Sequence, residues 1–187
     1  MKKIHFISLE KCYSFITLNA RPSYEIFTRL TVLIPNVNRY FIGPFFTSTD
    51  EATSIAYQGF QLVSDKNLLG VDLASGPFDS RLGTENILKK IVPRELLQTL
   101  DMYYLWGQVS SLIKDNGEYL TAAKKAIDSV FDKIDLGDEC LIFTVFPFGE
   151  MLCQEFSKKT DDVPIFSFLQ GFSLINDGSV FKTVLLQ

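Results

Sequence analysis

The chain of 187 residues is predicted to have an α/β fold, with a mostly parallel central sheet between two layers of helices. Three observations predict it. Segments 4–7 and 140–146 are almost entirely apolar, which is typical of strands that are covered on both faces. Apolar runs of strand length alternate with segments of helical periodicity, which favours parallel strands joined by helices. Near the end, Asn176-Asp177-Gly178 separates two apolar runs and indicates an antiparallel hairpin.

The first half of the chain is predicted to contain three strands and two helices. Pro22 disfavours helix before it and Ser23 is a good cap, so the first helix begins after them. Ser48 and Glu51 form a capping box at the start of the second helix, and Gly59 is interpreted as its end. In chain order the predictions are a strand at 2–11, a helix at 24–34, a strand at 39–43, a helix at 48–58, a strand at 60–64 and a loop at 65–81.

The second half is predicted to begin with a helical insert at about 75–117, interrupted at Pro93. The helix after it is amphipathic, with apolar residues on one face and lysines and aspartates on the other. The predicted elements from there on are a helix at 118–134, a strand at 140–146, a helix at 150–158, a strand at 163–169 and a hairpin of 172–175 with 180–186.

Composition limits the classes of function. Hydrophobic residues make up 47% and charged residues 21%, which suits one packed domain. The net charge of −4 argues against a nucleic-acid partner, because phosphate binding needs a basic surface. No apolar run approaches the roughly 20 residues of a membrane span. The three cysteines, Cys12, Cys140 and Cys153, are few and irregularly spaced, so we expect a cytoplasmic protein.

Six segments match, in order and spacing, the signatures of one known family: Lys3 to Ile7, Gly43-Pro44, Glu51-Ala52, Asp65 to Ala74, Gly117-Glu118-Tyr119 and Leu141 to Val145. The chain therefore resembles the histidine phosphatase superfamily, which has the phosphoglycerate-mutase-like fold. In that family the first strand leads into Arg-His-Gly and the second ends in Ser-Pro. The resemblance implies a single three-layer α/β/α domain over residues 1–187, with the helical insert and the terminal hairpin.

The resemblance also implies where the family's functional groups would fall, and the required residue types are missing there. The nucleophilic histidine falls at Leu9 and the arginine before it at Ser8. The second phosphate-binding arginine falls at Thr47, the acidic proton donor at Gly70 and the second pocket histidine near Val145. Phosphohistidine formation needs an imidazole nucleophile and cations around the phosphoryl oxygens. The resemblance thus implies a relative that has lost its catalytic groups.

The favoured interpretation is an inactive, phosphatase-like binding module that needs no cofactor and no metal. With its cations and histidines lost, the family pocket is expected to be apolar and to take a small apolar ligand or an unknown protein partner. Besides the five equivalent positions, the residues expected to line this pocket are Glu10, Cys12, Phe146 and Phe148.

Two other interpretations stay open. A hydrolase or transferase would carry rebuilt chemistry at the same cleft, through Cys12, Glu10 or Ser8. A structural protein would instead form a homodimer through the aromatic part of the insert, around Trp106.

The remaining polar residues are interpreted as structural. His5 is the only histidine and lies inside the first strand, so a packing role is favoured over catalysis or metal binding. The cysteines lack the spacing of zinc ligands. The acidic stretches 135–139 and 161–162 carry no calcium-loop pattern and are read as solvated turns.

Overall fold

The computed structural model describes most of the chain and places it around one mixed sheet. The residues described are 1–9, 24–42, 50–72, 93–97, 102–115, 117–144, 146, 148–157, 164–178 and 180–187.

Six strands of the described residues form the sheet, with β1 in a central position. The strands are β1 (Lys2–Ser8), β2 (Arg39–Ile42), β3 (Leu69–Asp72), β4 (Glu139–Thr144), β5 (Gly171–Asn176) and β6 (Phe181–Leu186). They lie in the order β3-β2-β4-β1-β5-β6. The first four strands run parallel, whereas β5 runs antiparallel to both of its neighbours. The predicted α/β class and the terminal hairpin are therefore confirmed.

Helices pack on both faces of this sheet. Those described are α1 (Tyr24–Leu33), α2 (Asp50–Ser64), α3 (Arg94–Leu97), α4 (Met102–Lys114), α5 (Gly117–Lys133) and α6 (Phe148–Ser157). On one face the ring of Phe143 in β4 contacts rings of α1 and α2. On the other face the ring of Phe181 in β6 contacts rings of α5 and α6. None of the described helices is both long enough and apolar enough to span a membrane.

The third strand was predicted in the wrong place. Residues 60–64 belong to α2, which continues through Gly59 to Ser64. Gly59 lies inside the helix, and its lack of a side chain lets α1 approach closely. A Cβ there would lie 2.7 Å from Cε2 of Phe27. The true third strand, β3, falls within the predicted loop at 65–81. At its Gly70 the side chain of Ile42 fills the space that a Cβ would need.

The predicted strand at 163–169 is also wrong for the residues described there, 164–169. They form no strand, and the backbone turns sharply at Leu169, where φ is 62°. The N–H of Phe166 donates to the carboxyl group of Glu150 instead of to a neighbouring strand. Pro164 offers no N–H for a ladder, which agrees with the irregular path.

A tyrosine hydroxyl occupies the place where β2 and β4 separate. The two strands pair only at Arg39 with Cys140 and at Tyr40 with Leu141. Beyond that point the hydroxyl of Tyr57 donates to the carbonyl of Leu141 at 3.1 Å and accepts from the N–H of Phe143 at 3.2 Å. Burial raises the pKa of Tyr57, so the group stays a neutral donor and acceptor.

Replacing Tyr57 by phenylalanine is expected to lower the free energy of unfolding by about 2 kcal/mol, because the N–H of Phe143 then has no acceptor in a buried site. Urea unfolding measures the change. The exposed Tyr104 provides the control: the same replacement there is expected to change stability by less than about 0.5 kcal/mol. Equal effects at the two positions would contradict this role of the buried hydroxyl.

Candidate functional site

The carboxyl ends of β1 and β4 meet at one edge of the sheet, where ligands bind in open α/β folds. Ser8 and Thr144 are paired in register there, and both are buried. The N–H of Leu9 donates to the carbonyl of Thr144 at 2.7 Å, which extends the pairing by one residue. The end of β1 thus continues as a strand-like segment into the core.

Apolar side chains surround this edge. Leu9 is 1% exposed and belongs to the main hydrophobic core. Phe146 and Phe148, which follow β4, are also buried, and the ring of Phe146 lies edge-on to the ring of Trp106 at 6.1 Å. Such a surface favours apolar packing and offers no charge to a phosphate group.

The segment 166–170 covers the other side of the β1 end. The N–H of Ser8 donates to the carbonyl of Gln170, and the N–H of Leu169 donates to the carbonyl of Ser8, both at 2.8 Å. A turn closed by the N–H of Gln170 and the carbonyl of Ser167 shapes the segment. Both backbone groups of Ser8 are therefore engaged by this segment.

A buried acid lies beside the same edge, and the sequence interpretation missed it. Glu150 is in the first turn of α6 and is fully buried. Its Oε1 accepts the N–H of Phe166 at 2.9 Å, whereas its Oε2 accepts no hydrogen bond from the described residues. Burial raises the pKa of Glu150 to about 7, although two backbone N–H groups lower it in part. The signal in the sequence was a single acid within the apolar run 140–153.

The structure brings together four of the residues that the sequence proposed. Ser8, Leu9, Phe146 and Phe148 lie around the β1 and β4 ends. Gly70 lies apart from them, on the edge strand β3, which β2 separates from β4 and β1. The other proposed residues, Thr47, Val145, Glu10 and Cys12, lie outside the described part of the chain.

No family model, curated protein or solved structure matches the chain. The resemblance to the histidine phosphatases therefore stays a prediction.

A second polar cluster joins three strands near the amino end of the parallel strands. The Nε2 of His5 lies 3.0 Å from Oε2 of Glu139, and its Nδ1 lies 2.8 Å from Oγ of Ser173. Lys3 donates to Oε1 of the same glutamate at 2.5 Å. A carboxylate only accepts, so Nε2 carries a proton and Nδ1 accepts the serine hydroxyl when the ring is neutral.

The cluster gives His5 partners on both nitrogens, as expected of a structural histidine. It also corrects the interpretation of 135–139 as a solvated turn, because Asp138 and Glu139 are both buried. Asp138 is held by the side chains of Asn38 and Arg39, at 2.8 and 2.9 Å. Its pKa is lowered by the N–H of Asp135 and by these two side chains, although burial opposes the shift.

The described residues offer no obvious metal site. No group of three or more histidine, cysteine, aspartate or glutamate side chains converges among them. Cys140 is buried, and burial raises the pKa of its thiol, so it is a poor metal ligand and a poor nucleophile.

Proposed function

We propose that the chain is a catalytically inactive, histidine-phosphatase-like module that binds a small apolar ligand or a protein partner. The observation that carries the proposal is the position of Leu9. The resemblance assigns the nucleophilic histidine to this position, and the leucine there is buried in the hydrophobic core. A leucine side chain cannot be phosphorylated, and no lysine, arginine or histidine is found among residues 8–9, 144, 146, 148–150 and 166–170.

The arrangement of the sheet supports the same proposal. The resemblance implies a mostly parallel sheet with a terminal antiparallel hairpin, and β1 lies between parallel β4 and antiparallel β5. It also implies a helical insert, and α3 and α4 fall within the range expected for it. The sparse cysteines fit a reducing compartment, so we propose a cytoplasmic location.

The ligand-binding region that we propose is the edge formed by Leu9, Phe146 and Phe148. Its apolar lining favours an uncharged ligand, because a charged group would lose its hydration there without a compensating partner. A protein partner would bring an apolar side chain to the same edge. Phosphorylated compounds are the ligands that this edge is least suited to bind.

A second candidate function is a hydrolase, and one observation favours it. Ser173, His5 and Glu139 form a nucleophile, base and carboxylate in hydrogen-bond contact. This set differs from the residues that the sequence suggested for rebuilt chemistry. It lies on the face of β1 opposite to Ser8, because side chains alternate along a strand.

Two activity assays and one mass measurement separate the two functions. Purified protein is incubated with a panel of phosphomonoesters and, separately, with p-nitrophenyl acetate, and the protein is examined for a covalent phosphate by mass spectrometry. We expect no phosphate release, no phosphoenzyme and no ester cleavage beyond the buffer rate. Phosphomonoester turnover that stays with the protein through gel filtration would contradict the proposed function. Ester cleavage that is lost in Ser173→Ala would establish the second candidate.

A further inference from the structure

We propose that Glu150 is a proton-operated latch that holds segment 164–170 over the carboxyl end of β1 and releases it as the pH rises from acidic to neutral. The latch would regulate access to the edge described above. Its biological purpose rests on the proposed function, whereas the latch itself rests on the contacts of Glu150 alone.

The hydrogen bonding of Glu150 makes its protonation state decisive. Oε1 accepts the N–H of Phe166, and Oε2 accepts no hydrogen bond from the described residues. The protonated carboxyl group is neutral, so its burial at this site costs little free energy. The ionised group is a fully buried charge with an oxygen to which no described residue donates, which is strongly unfavourable in a protein interior.

The surrounding charges do not compensate for that ionisation. α6 packs against β1, β5 and β6. Besides Glu150, the titratable groups of α6 and of these three strands are Lys2, Lys3, His5, Cys153, Glu155 and Lys182, and Glu155 is paired with Lys124 of α5. None of them is a cause of the raised pKa of Glu150, which comes from burial and is opposed only by two backbone N–H groups. Glu150 therefore titrates near neutral pH independently of its charged neighbours.

When Glu150 ionises, segment 164–170 moves away from it more easily than helix α6 does. It contains no helix or strand, and apart from Phe166 its residues are half-buried or exposed. The first six residues of α6, in contrast, are all buried, so moving the helix would expose much more apolar surface. Leu169 also adopts a positive φ of 62°, a conformation that a leucine rarely takes. Release of the segment relieves that residue and lets water reach Oε2.

The same release uncovers the end of β1. The segment engages both backbone groups of Ser8 and packs Phe166 against Phe172 of β5 at 6.0 Å. Once it moves away, the N–H and carbonyl of Ser8 lose these partners and the neighbouring Leu9 becomes more accessible. The pH of the solution would thus control whether the apolar edge is closed or open.

Amide hydrogen exchange tests the latch. With a pKa of about 7 in the closed form and the ordinary value of 4.5 in the open form, local opening becomes on the order of 100-fold more frequent between about pH 5 and pH 8. We expect the protection factors of the Phe166, Leu169 and Ser8 amides, corrected for intrinsic exchange, to fall by that factor. The amide of Gly178 in the hairpin turn donates to the uncharged side chain of Asn176 and exchanges by local opening that leaves Glu150 in place, so its protection should not change.

Two variants complete the experiment. Glu150→Gln keeps the shape and cannot ionise, so the pH dependence at Phe166 and Leu169 should disappear. Glu155→Gln, in the same helix, should retain it. Protection at these amides that is independent of pH in the wild type, or unchanged pH dependence in Glu150→Gln, would overturn the proposal. If Glu150→Gln does not fold, the wild-type series decides alone, through the contrast between Phe166 and Gly178.

The outcomes separate the latch from the proposed function. Phosphomonoester turnover together with pH-dependent protection would reject the inactive binding module and leave the latch standing. No turnover together with pH-independent protection would leave the binding module standing and reject the latch.

Discussion

Replacing Gly171 by alanine is expected to lower the free energy of unfolding by about 3 kcal/mol, as overpacking of a tightly packed site does. Gly171 begins β5 and is paired with Ile7 of β1. A Cβ at this position would overlap the carbonyl oxygen of Phe6 and lie 2.9 Å from its carbonyl carbon. These are backbone atoms of the central strand, so no side-chain rotation removes the clash. β5 has to move away from β1, and the ladder between them weakens.

Gly107 provides the matched control. It lies within α4, and a Cβ there would meet nothing within 4 Å. Gly107→Ala is therefore expected to raise the free energy of unfolding by about 1 kcal/mol, because alanine is the better helix former. Urea unfolding of the two variants measures the contrast. If the Gly171→Ala protein were as stable as the wild type, β5 could move away from β1 at no cost in the free energy of unfolding. That result would contradict this account of the β1 and β5 pair.

The two glycines that misled the sequence interpretation have a similar role to Gly171. Gly59 looked like a helix end and Gly70 looked like part of a loop, since glycine is common in both places. In the structure each allows a neighbouring side chain to come close, Phe27 in one case and Ile42 in the other. Such a role depends on what lies across the interface. A pattern along one chain segment contains no information about it, so the third strand was placed too early.

The strands with continuous apolar character were predicted well for a physical reason. β1 and β4 are covered on both faces, which leaves a signal in their own residues. The hairpin was predicted from its turn, where the side chain of Asn176 accepts the N–H of Gly178. Local signals of this kind do not depend on distant partners.

The polar clusters were not predictable in the same way. Glu139 and Ser173 lie on strands far apart in sequence, and the neighbours of His5 became visible only once the register of three strands was known. Glu139 looked like the last residue of an acidic turn, because nothing nearby in the sequence marks it as buried. The candidate site shows the same limit, since Leu9 and Phe148 were expected at the β1 and β4 ends and Glu150 was overlooked.

The cluster around Glu139 is expected to make the stability of the protein depend strongly on pH in the acidic range. The pKa of Glu139 is lowered from 4.5 to about 2, mainly by the hydrogen bond from His5 and then by that from Lys3, while burial opposes the shift. A folded-state pKa below the unfolded value means that the stabilisation is fully present above about pH 4.5 and is lost as the pH falls towards 2. The size of the shift means that the ionised Glu139 contributes at most about 3 kcal/mol to the free energy of unfolding. Because Lys3 is partly exposed, solvent screening reduces this contribution to about 2 kcal/mol.

Replacing Glu139 by glutamine is expected to remove this contribution. The carboxylate accepts one hydrogen bond at each oxygen, whereas the amide has one oxygen and one donor group, so either Lys3 or His5 faces a donor. We expect Glu139→Gln to be about 2 kcal/mol less stable than the wild type near pH 6 and the difference to shrink towards zero near pH 2. Urea unfolding over this pH range measures both values.

The comparison isolates Glu139 from the other acids of the chain. Below about pH 4.5 Glu150 is protonated in the folded and in the unfolded chain, so it adds no pH dependence there. The remaining carboxyl groups are shared by the wild type and the variant and cancel in the difference. Glu155→Gln, which breaks the partly exposed pair with Lys124, is expected to change stability by less than about 1 kcal/mol. A difference between wild type and Glu139→Gln that stays constant down to pH 2 would mean that the histidine and the lysine do not hold this carboxylate ionised.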